Sequence, residues 1–284
     1  MRIGLLSLLP KRQIASVSHD WAKSFPNAVH DVDNFVIGAQ VIDIKRRGKA
    51  LIINLDSDYS LVVHLKMTGQ LVFRSQQQRF GAGHPNDSLI GKLPDKSTRV
   101  IINFVDSSQL FFNDQRKFGW MRLLPTLEVD DLDFMKKLGP EPLADGFDWK
   151  ALQTRLLRRP KSNIKAVILD QTVVAGVGNI YADESLWGAK IHPLTIVNDL
   201  KPNQIHKLYD ELTFVLRLAI EKGGSTDRNY VNAEGKKGSY MDFARVFRRE
   251  GQSCPRCGTV IVKTRVAGRG THLCPKCQKH RLTA

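Results

Sequence analysis

Two pairs of cysteines near the C-terminus constrain the fold of this chain more than any other feature. Cys254 and Cys257 form one Cys-x-x-Cys pair, and Cys274 and Cys277 form a second pair after the intervening residues 258–273. Each pair can present two thiolates from one tight turn, and two such turns can complete a tetrahedral zinc site. A disulfide framework would distribute its cysteines more widely along the chain. We therefore predict one Zn²⁺ ion; four reduced cysteines without a metal are the alternative.

The predicted zinc ion is structural. The segment that holds it, 243–284, has about 40 residues and too small a core to fold alone, so the metal supplies the folding energy. Four protein ligands leave no coordination position for a reacting water. Zinc ribbons occur in many classes of protein, so this module alone does not identify a partner.

A large positive charge indicates a polyanionic partner. The 284 residues contain 43 Lys and Arg against 28 Asp and Glu, which leaves a net charge of +15. Nucleic acid is favoured over an anionic membrane, because we find no lipidation motif and no amphipathic basic helix. No apolar run reaches the length of a membrane span, and the short apolar start has no cleavage site. We expect a cytoplasmic protein without a membrane partner.

The pattern of the chain predicts a β region followed by a helical region. Short apolar runs between residues 32 and 124 are typical of a sandwich or barrel. A long loop is expected at 76–96, and 11–31 remain unassigned. Helices are then expected at 132–138, at 149–159 with Asp148 as its N-cap, and at 164–171, 179–188 and 202–222. A polar, Gly-rich loop follows at about 223–240.

Two loop motifs in the β region have the composition of a wedge for a base stack. Arg116, Lys117 and Phe118 follow a strand, and cations beside an aromatic ring suit insertion between bases while the charges hold phosphates. Met67 ends another strand and offers a second apolar tip. The alternative for both Met67 and Phe118 is ordinary core packing.

Three further positions suit an anion or a proton transfer. Asn179 follows Gly176-Val177-Gly178 at the start of a helix, where it could cap the helix or bind a phosphate; a tight turn between helices is the alternative. Two glycines flank Arg269 at an expected hairpin tip, which suits either a phosphate contact or a solvated turn. Lys49 opens a strand after a basic turn, where a positioned amine could act as an acid or base; a solvated loop is the alternative.

Six motifs in this order resemble one family. They are Lys-Arg-Arg-Gly-Lys at 45–49, His-Leu-Lys-Met-Thr-Gly at 64–69, Asp-Gln-Arg-Lys-Phe-Gly at 114–119, Leu-Gly-Pro-Glu-Pro-Leu at 138–143, Val-Ala-Gly-Val-Gly-Asn-Ile-Tyr at 174–181 and Ala-Gly-Arg-Gly-Thr-His-Leu-Cys at 267–274. Together with the cysteine spacing they look like formamidopyrimidine-DNA glycosylase over residues 2–279. The His-Leu-x-Met-x-Gly and Arg-Gly-Thr-His motifs favour this purine-specific branch over the related endonuclease VIII branch.

The resemblance implies an α+β multidomain fold. An N-terminal β-sandwich would cover 1–125, a helix–two-turn–helix domain 130–240 and a zinc ribbon 243–284, with DNA in the cleft between. The loop at about 223–240 would close over the damaged base. Family roles carried onto matching residues would make Met67, Arg116 and Phe118 fill the space of a flipped nucleotide, Asn179, Arg269 and Lys161 contact DNA, with Arg269 also in the active site, and Lys49 assist β-elimination.

The implied activity is base-excision repair. Such an enzyme is an N-glycosylase and abasic-site lyase that removes oxidised purines, such as 8-oxoguanine and formamidopyrimidines, from duplex DNA by base flipping and then cleaves the strand by β,δ-elimination. A monomeric, nucleoid-associated protein of the bacterial cytoplasm would fit this role.

The chain departs from the family pattern in two places. The family opens Met-Pro-Glu-Leu-Pro-Glu-Val-Glu-Thr-Val, with its proline amine as the Schiff-base nucleophile and the following Glu as the acid. About nine residues of that opening are absent before Arg2-Ile3-Gly4-Leu5. Our hypothesis is an internal start, with a valine codon read as the initiator, so that the chain beginning at Met1 binds DNA but has little or no glycosylase activity. The second departure is Lys96-Ser97-Thr98-Arg99, which stands where the family has a His-rich stretch and puts one DNA contact in doubt.

Two rival functions remain at this point. A non-catalytic binder of damaged DNA would truly begin at Met1 and lack the nucleophile. A zinc-ribbon RNA-binding or ribosome-associated protein would bind RNA at least as tightly as a lesion duplex and would not use Met67 and Phe118 as wedges.

Overall fold

The computed structural model describes residues 1–84, 86–224 and 240–280. Met1–Lys136 belong to one compact unit, and Lys137–Lys222 join the described residues from Tyr240 onwards in a second. Within these described ranges, no helix combines the length and apolar character needed to cross a membrane.

The first unit contains two antiparallel sheets. Its strands are β1 (Ile14–His19), β2 (Val41–Arg47), β3 (Ala50–Leu55), β4 (Tyr59–His64), β5 (Gly69–Arg74), β6 (Arg79–Gly83), β7 (Thr98–Phe104), β8 (Gln109–Asp114) and β9 (Trp120–Pro125). One sheet has the order β1-β7-β8-β5-β6, and the other has the order β2-β3-β4-β9. The helices of this unit are short: α1 (Arg2–Leu6), α2 (Val29–Phe35) and α3 (Asp133–Lys136), with 3-10 turns at Ala22–Ser24, Asp87–Leu89 and Thr126–Asp131.

One apolar core joins the two sheets. Alternate residues of a strand point to the same face, so every second side chain can enter the core. Leu71 and Phe73 of β5 and Leu61 and Val63 of β4 belong to the same buried cluster although their strands lie in different sheets. This arrangement is a β-sandwich, as the sequence predicts.

Two parts of the first unit differ from the prediction. The unassigned residues 11–31 contain β1, which pairs with β7 at the edge of the five-stranded sheet. The expected long loop at 76–96 contains β6, which pairs with β5. Its sequence Arg-Phe-Gly-Ala-Gly has few β-branched or aromatic residues, so local propensity gives little sign of a strand that pairing with β5 stabilises.

The second unit is helical, with a two-stranded hairpin near its end. It contains α4 (Trp149–Leu156), α5 (Ile164–Leu169), α6 (Asn179–Gly188), α7 (Pro202–Glu221) and α8 (Tyr240–Phe243), a 3-10 turn at Val197–Asp199, and strands β10 (Val262–Val266) and β11 (Arg269–Leu273). The amphipathic α7 buries Ile205, Leu208, Leu212 and Val215 along one face, as the sequence predicts.

Side-chain caps explain where two of these helices begin, and three helices are shorter than predicted. The Asp148 side chain accepts the backbone N–H of Ala151, which confirms its predicted N-cap role. Asn163 caps α5 in the same way by accepting the N–H of Ala166. The predicted helices at 149–159, 164–171 and 132–138 are longer than the observed α4, α5 and α3, because helical pattern extends into the turns that follow or precede them.

A buried carboxylate in α6 fixes the segment that leads into the cysteine-bearing module. Glu184 is fully buried and accepts the backbone N–H groups of Arg245, Val246 and Phe247 at 2.8–2.9 Å. The Arg245 guanidinium also bonds Glu184 and lies 3.0 Å from Glu211 of α7. A buried carboxylate needs such donors to offset its lost hydration, so this segment has one well-defined path.

Candidate nucleic-acid interface and zinc centre

The four cysteines converge on one point, as their spacing predicts. Their sulfur atoms all lie within 4.8 Å of one another. Cys257 Sγ is 3.5 Å from Cys274 Sγ, and Cys254 Sγ is 4.0 Å from Cys277 Sγ. Sulfurs around a tetrahedral zinc ion with bonds of about 2.3 Å lie about 3.8 Å apart, so this donor set fits Zn²⁺. None of the four forms a disulfide.

Two loops of the first unit expose large apolar side chains. Met67 lies between β4 and β5 with 58% of its surface exposed, and Phe118 lies between β8 and β9 with 55% exposed. The core-packing interpretation of these two residues is therefore wrong. Apolar side chains of this size on loop tips are candidates for binding.

Arg116 connects the two loops. Its Nη1 is 3.4 Å from the Met67 sulfur, and its guanidinium carbon is 4.8 Å from the centre of the Phe118 ring. Met67, Arg116 and Phe118 thus form one exposed surface, called the wedge surface below. It presents two apolar tips with a cation between them, which suits a gap in a base stack and its flanking phosphates.

Lys49 occupies a different position from the one predicted. The sequence places it at the start of a strand, whereas it lies exposed in the two-residue turn between β2 and β3, next to Gly48 with φ 57°. Strand pairing of Ala50 with His64 brings this turn beside the end of β4. The tight turn needs a positive φ at Gly48, so the strand starts one residue later than expected.

His64 lies beside Lys49. The sequence pattern does not predict a functional role for it, because a histidine in an apolar strand is usually a core residue. Burial, helped by the positive charges of Lys66 and Lys49, lowers the pKa of His64 to about 4. Its Nδ1 accepts the backbone N–H of Lys66 at 3.0 Å, so the neutral ring carries its proton on Nε2. The side chain is a neutral hydrogen-bond donor at neutral pH.

Residues 96–99, which stand where the resembled family has a His-rich stretch, include side chains that serve the fold. Ser97 is 2% exposed and Arg99 is 4% exposed. The Ser97 hydroxyl donates to Asp95, and the Arg99 guanidinium bonds the Asp114 carbonyl and forms an ion pair with Asp20. Neither side chain is available for a nucleic-acid contact.

In the second unit, Arg269 is the first residue of the return strand rather than the hairpin tip. It pairs with Val266, and the turn consists of Ala267 (φ 50°) and Gly268 (φ 74°). The side chain is exposed beside the turn. A strand position holds the backbone of Arg269 more firmly than the predicted tip position would.

Asn179 is tied to the same hairpin. The N-cap of α6 is Gly178, and Asn179 is the first residue of the helix, so the predicted capping role is wrong. Instead, its Nδ2 donates to the Gly270 carbonyl at 2.9 Å. This contact joins the start of α6 to the residue after Arg269, so two predicted anion-binding positions lie together. Lys161 lies exposed in the turn between α4 and α5.

A buried ion pair beneath this hairpin was not predicted. Lys165 and Asp183 are both fully buried, with Nζ 2.5 Å from Oδ1. Lys165 Nζ also reaches the Thr271 hydroxyl at 2.7 Å, and Asp183 accepts the backbone N–H of His272 at 2.9 Å. Burial lowers the pKa of Lys165, and the Asp183 charge opposes that shift. The pair anchors β11 to α5 and α6.

The predicted capping loop at about 223–240 falls mostly on residues 225–239, which lie outside the described part of the chain. Of its ends, α7 stops at Glu221 and α8 begins at Tyr240.

Three family models together match most of the chain. The formamidopyrimidine-DNA glycosylase N-terminal domain matches residues 1–121, the formamidopyrimidine-DNA glycosylase H2TH domain matches 138–230, and the zinc finger found in FPG and IleRS matches 251–279. The last match and the four clustered cysteines identify one structural zinc site.

Relatives and solved structures agree with these matches. The formamidopyrimidine-DNA glycosylase of Pelotomaculum thermopropionicum is 42% identical over 240 residues, covering 84% of this chain and 82% of that protein. The Streptococcus mutans protein of the same name is 39% identical over 281 residues, covering 98% and 96%. Lactococcus lactis FPG structures, one a mutant with Fapy-dG-containing DNA and one with abasic-site-containing DNA, each have a TM-score of 0.86 at 35% identity, covering 98% of this chain and 97% of theirs. The chain belongs to the formamidopyrimidine-DNA glycosylase family.

Proposed function

We propose that this protein is a DNA glycosylase and abasic-site lyase that removes oxidised purines, including formamidopyrimidines and 8-oxoguanine, from duplex DNA. The observation that carries the proposal is the wedge surface, in which Met67 and Phe118 are exposed on either side of Arg116. An enzyme that acts on a base inside a duplex must extrude the nucleotide, and inserted side chains offset the unstacking cost of a few kcal/mol.

Family relationship and charge support this function. The Lactococcus lactis proteins of similar fold were solved with Fapy-dG-containing and abasic-site-containing DNA. The net charge of +15 suits binding to the DNA backbone through counterion release. The relatives are bacterial, and we propose that this protein acts as a monomer on the bacterial chromosome in the cytoplasm.

The proposed division of labour follows three domains, 1–125, 130–240 and 243–284. The first domain would supply the wedge surface and Lys49, which would assist β-elimination. The second and third would supply phosphate contacts from Lys161, Asn179 and Arg269, with Arg269 also in the active site. Residues at about 223–240 would cap the damaged base.

The Asn179–Gly270 contact supports the phosphate-binding part of this proposal. It joins the start of α6 to the residue after Arg269, whose side chain is exposed, and helix-start amides and guanidinium groups both bind phosphate oxygens. In the first unit, the neutral His64 beside Lys49 adds an Nε2–H donor for a further phosphate contact.

The proposed chemistry is Schiff-base formation followed by β,δ-elimination. A secondary amine attacks the sugar C1′, the base leaves, and the imine lowers the barrier for removal of the C2′ proton. In the family that the motifs resemble, this amine belongs to a proline at the mature N-terminus. The test therefore compares the printed chain with a chain that carries Pro-Glu-Leu-Pro-Glu-Val-Glu-Thr after the initiator.

Borohydride trapping on a duplex that contains 8-oxoguanine tests this function. We expect the chain with the added block to give a covalent adduct and a cleaved strand. If neither chain traps but both bind the lesion duplex, the protein is a non-catalytic binder. Binding to RNA at least as tight as to the lesion duplex would contradict both assignments.

A further inference from the structure

Strand register places the two loops of the wedge surface side by side. The Met67 loop (residues 65–68) runs from β4 to β5, and the Phe118 loop (residues 115–119) runs from β8 to β9. β4 and β9 are neighbours in one sheet, and β5 and β8 are neighbours in the other. His64 pairs with Trp120 at one end of the loops, and Gly69 pairs with Asp114 at the other. Each loop therefore joins one sheet to the other, and the two loops lie side by side.

A buried carboxylate holds these loops together between their ends. Asp114 has no exposed surface. Its Oδ1 accepts the Thr68 hydroxyl of the Met67 loop and the backbone N–H of Arg116 at 3.2 Å. Its Oδ2 accepts the backbone N–H of Gly119 at 2.6 Å. A buried carboxylate is costly to leave without donors, so these hydrogen bonds fix both loops relative to one side chain.

Thr68 has a matching role from the opposite loop. Its hydroxyl donates to Asp114 and accepts the backbone N–H of Arg116 at 3.2 Å. One residue of the Met67 loop thus contacts both the carboxylate and the backbone of the residue that bridges Met67 and Phe118.

The backbone conformation of both loops indicates that surrounding contacts hold them in place. Lys66 (φ 50°) and Lys117 (φ 58°) adopt the left-handed conformation that non-glycine residues rarely adopt. Such conformations persist where surrounding contacts determine them. Gly119 permits the close approach, because a Cβ there would meet Phe112 Cζ at 2.7 Å and the Asp114 Oδ2 at 3.1 Å.

Further contacts support the Asp114 segment and the Phe118 loop. Arg99 Nε donates to the Asp114 carbonyl at 2.9 Å, and Arg99 is itself paired with Asp20. Lys117 Nζ lies 4.5 Å from the centre of the Trp21 ring. The two residues that follow β1 therefore both support this region: Asp20 through Arg99, and Trp21 through Lys117.

We infer that Asp114 and Thr68 are positioning residues that assemble Met67, Arg116 and Phe118 into one wedge before DNA binds. The inference rests on the proposed function and extends it to how the wedge works. Loops that were free before binding would lose conformational freedom on entering the base stack, and that loss would weaken binding. A wedge that is already assembled avoids this loss, so its cost falls on folding instead.

The test uses the 284-residue chain and measures DNA binding and base unstacking, not base removal. The probe is a duplex with a tetrahydrofuran abasic-site analogue opposite 2-aminopurine, whose fluorescence rises when the wedge unstacks it. Thr68→Val keeps the shape of the side chain but removes the hydroxyl, and Thr68→Ser retains the hydroxyl. Thr98→Val is the matched control, since Thr98 is a buried threonine of the same unit whose hydroxyl bonds Asn113 and the Asp95 N–H.

We expect Thr68→Val to bind the abasic duplex about tenfold more weakly and to lose most of the fluorescence rise, because the wedge must then be ordered on binding. Thr68→Ser and Thr98→Val should match the original chain, which excludes a general loss of stability as the cause. An unchanged signal and affinity in Thr68→Val, or an equal loss in Thr98→Val, would overturn the inference. If the original chain shows no difference between abasic and intact duplexes, the proposed function fails instead.

Discussion

The wedge surface and the β10–β11 hairpin, which carries Arg269, present cations in two different ways. Asp114 organises the wedge surface within a β-sandwich whose large core supports it. The hairpin that carries Arg269 belongs to a module with a small apolar cluster, and it depends on four cysteines and on the Lys165–Asp183 pair. The comparison indicates that the small module relies on a metal and a buried ion pair, whereas the sandwich relies on its large core, on strand register and on the hydrogen bonds of Asp114 and Thr68.

Removal of zinc should break this comparison most strongly. Structural zinc contributes on the order of 10 kcal/mol to folding of such modules, so chelation or Cys257→Ser should unfold residues 251–279. We expect affinity for an abasic duplex to fall roughly 100-fold as the phosphate contacts of this module are lost. Anisotropy titrations before chelation, after it and after zinc is restored measure this effect.

The contrast also predicts that unfolding of the zinc module leaves the first unit folded. Near-UV circular dichroism from the aromatic residues of the β-sandwich should persist after chelation. If chelation abolishes both that signal and DNA binding, the first unit also depends on zinc, and the contrast between the two units is wrong.

Breaking the buried ion pair should have the next largest effect. Lys165→Met leaves the Asp183 carboxylate buried without its cation, which typically costs about 3–5 kcal/mol. We expect the free energy of unfolding of the second unit to fall by this amount in urea titrations. Lys207→Met on the exposed side of α7 is the control and should change it by less than about 0.5 kcal/mol. Equal effects of the two variants would remove the anchoring role of Lys165.

A smaller effect on stability is a pH dependence from His64. Its pKa in the folded protein is about 4, below the ordinary histidine value of 6.5, so between these pH values the unfolded chain binds a proton that the folded chain does not. Stability is therefore complete above about pH 6.5 and decreases as the pH falls towards 4. His64→Gln should reduce this decrease by about 2 kcal/mol between the two pH values, less than the full linkage value because the ring is partly exposed. Thermal melts of both proteins across this range measure it.

The sequence predicts features that depend on local chemistry. The zinc site follows from cysteine spacing, and the Asp148 cap follows from residue type. The exposure of Phe118 does not follow in the same way, because a phenylalanine after a strand is equally typical of a core. The pairing of β8 with β5 and of β9 with β4 places Phe118 in an exposed loop and not in the core.

Long-range pairing explains what the sequence does not predict. Lys165 lies in an apolar helix, and its partner Asp183 is 18 positions away, so no local pattern connects them. Lys49 and Arg269 each lie one step from their predicted position because the turns take two residues, Gly48-Lys49 and Ala267-Gly268. Asn179 bonds the distant Gly270 rather than its own helix, and tertiary contact there overrides capping preference.

The measurement that tests the account most directly compares Phe118→Ala with Arg269→Ala over a range of salt concentrations, on an abasic-analogue duplex and on the same undamaged duplex. We predict that Phe118→Ala reduces the preference for the abasic duplex about tenfold and leaves the salt dependence unchanged, since a wedge reads the gap and not the phosphates. Arg269→Ala should weaken binding to both duplexes alike and reduce the salt slope by about 1. If Arg269→Ala removes the preference and Phe118→Ala leaves it intact, the assignment of the wedge surface to the damaged site is contradicted.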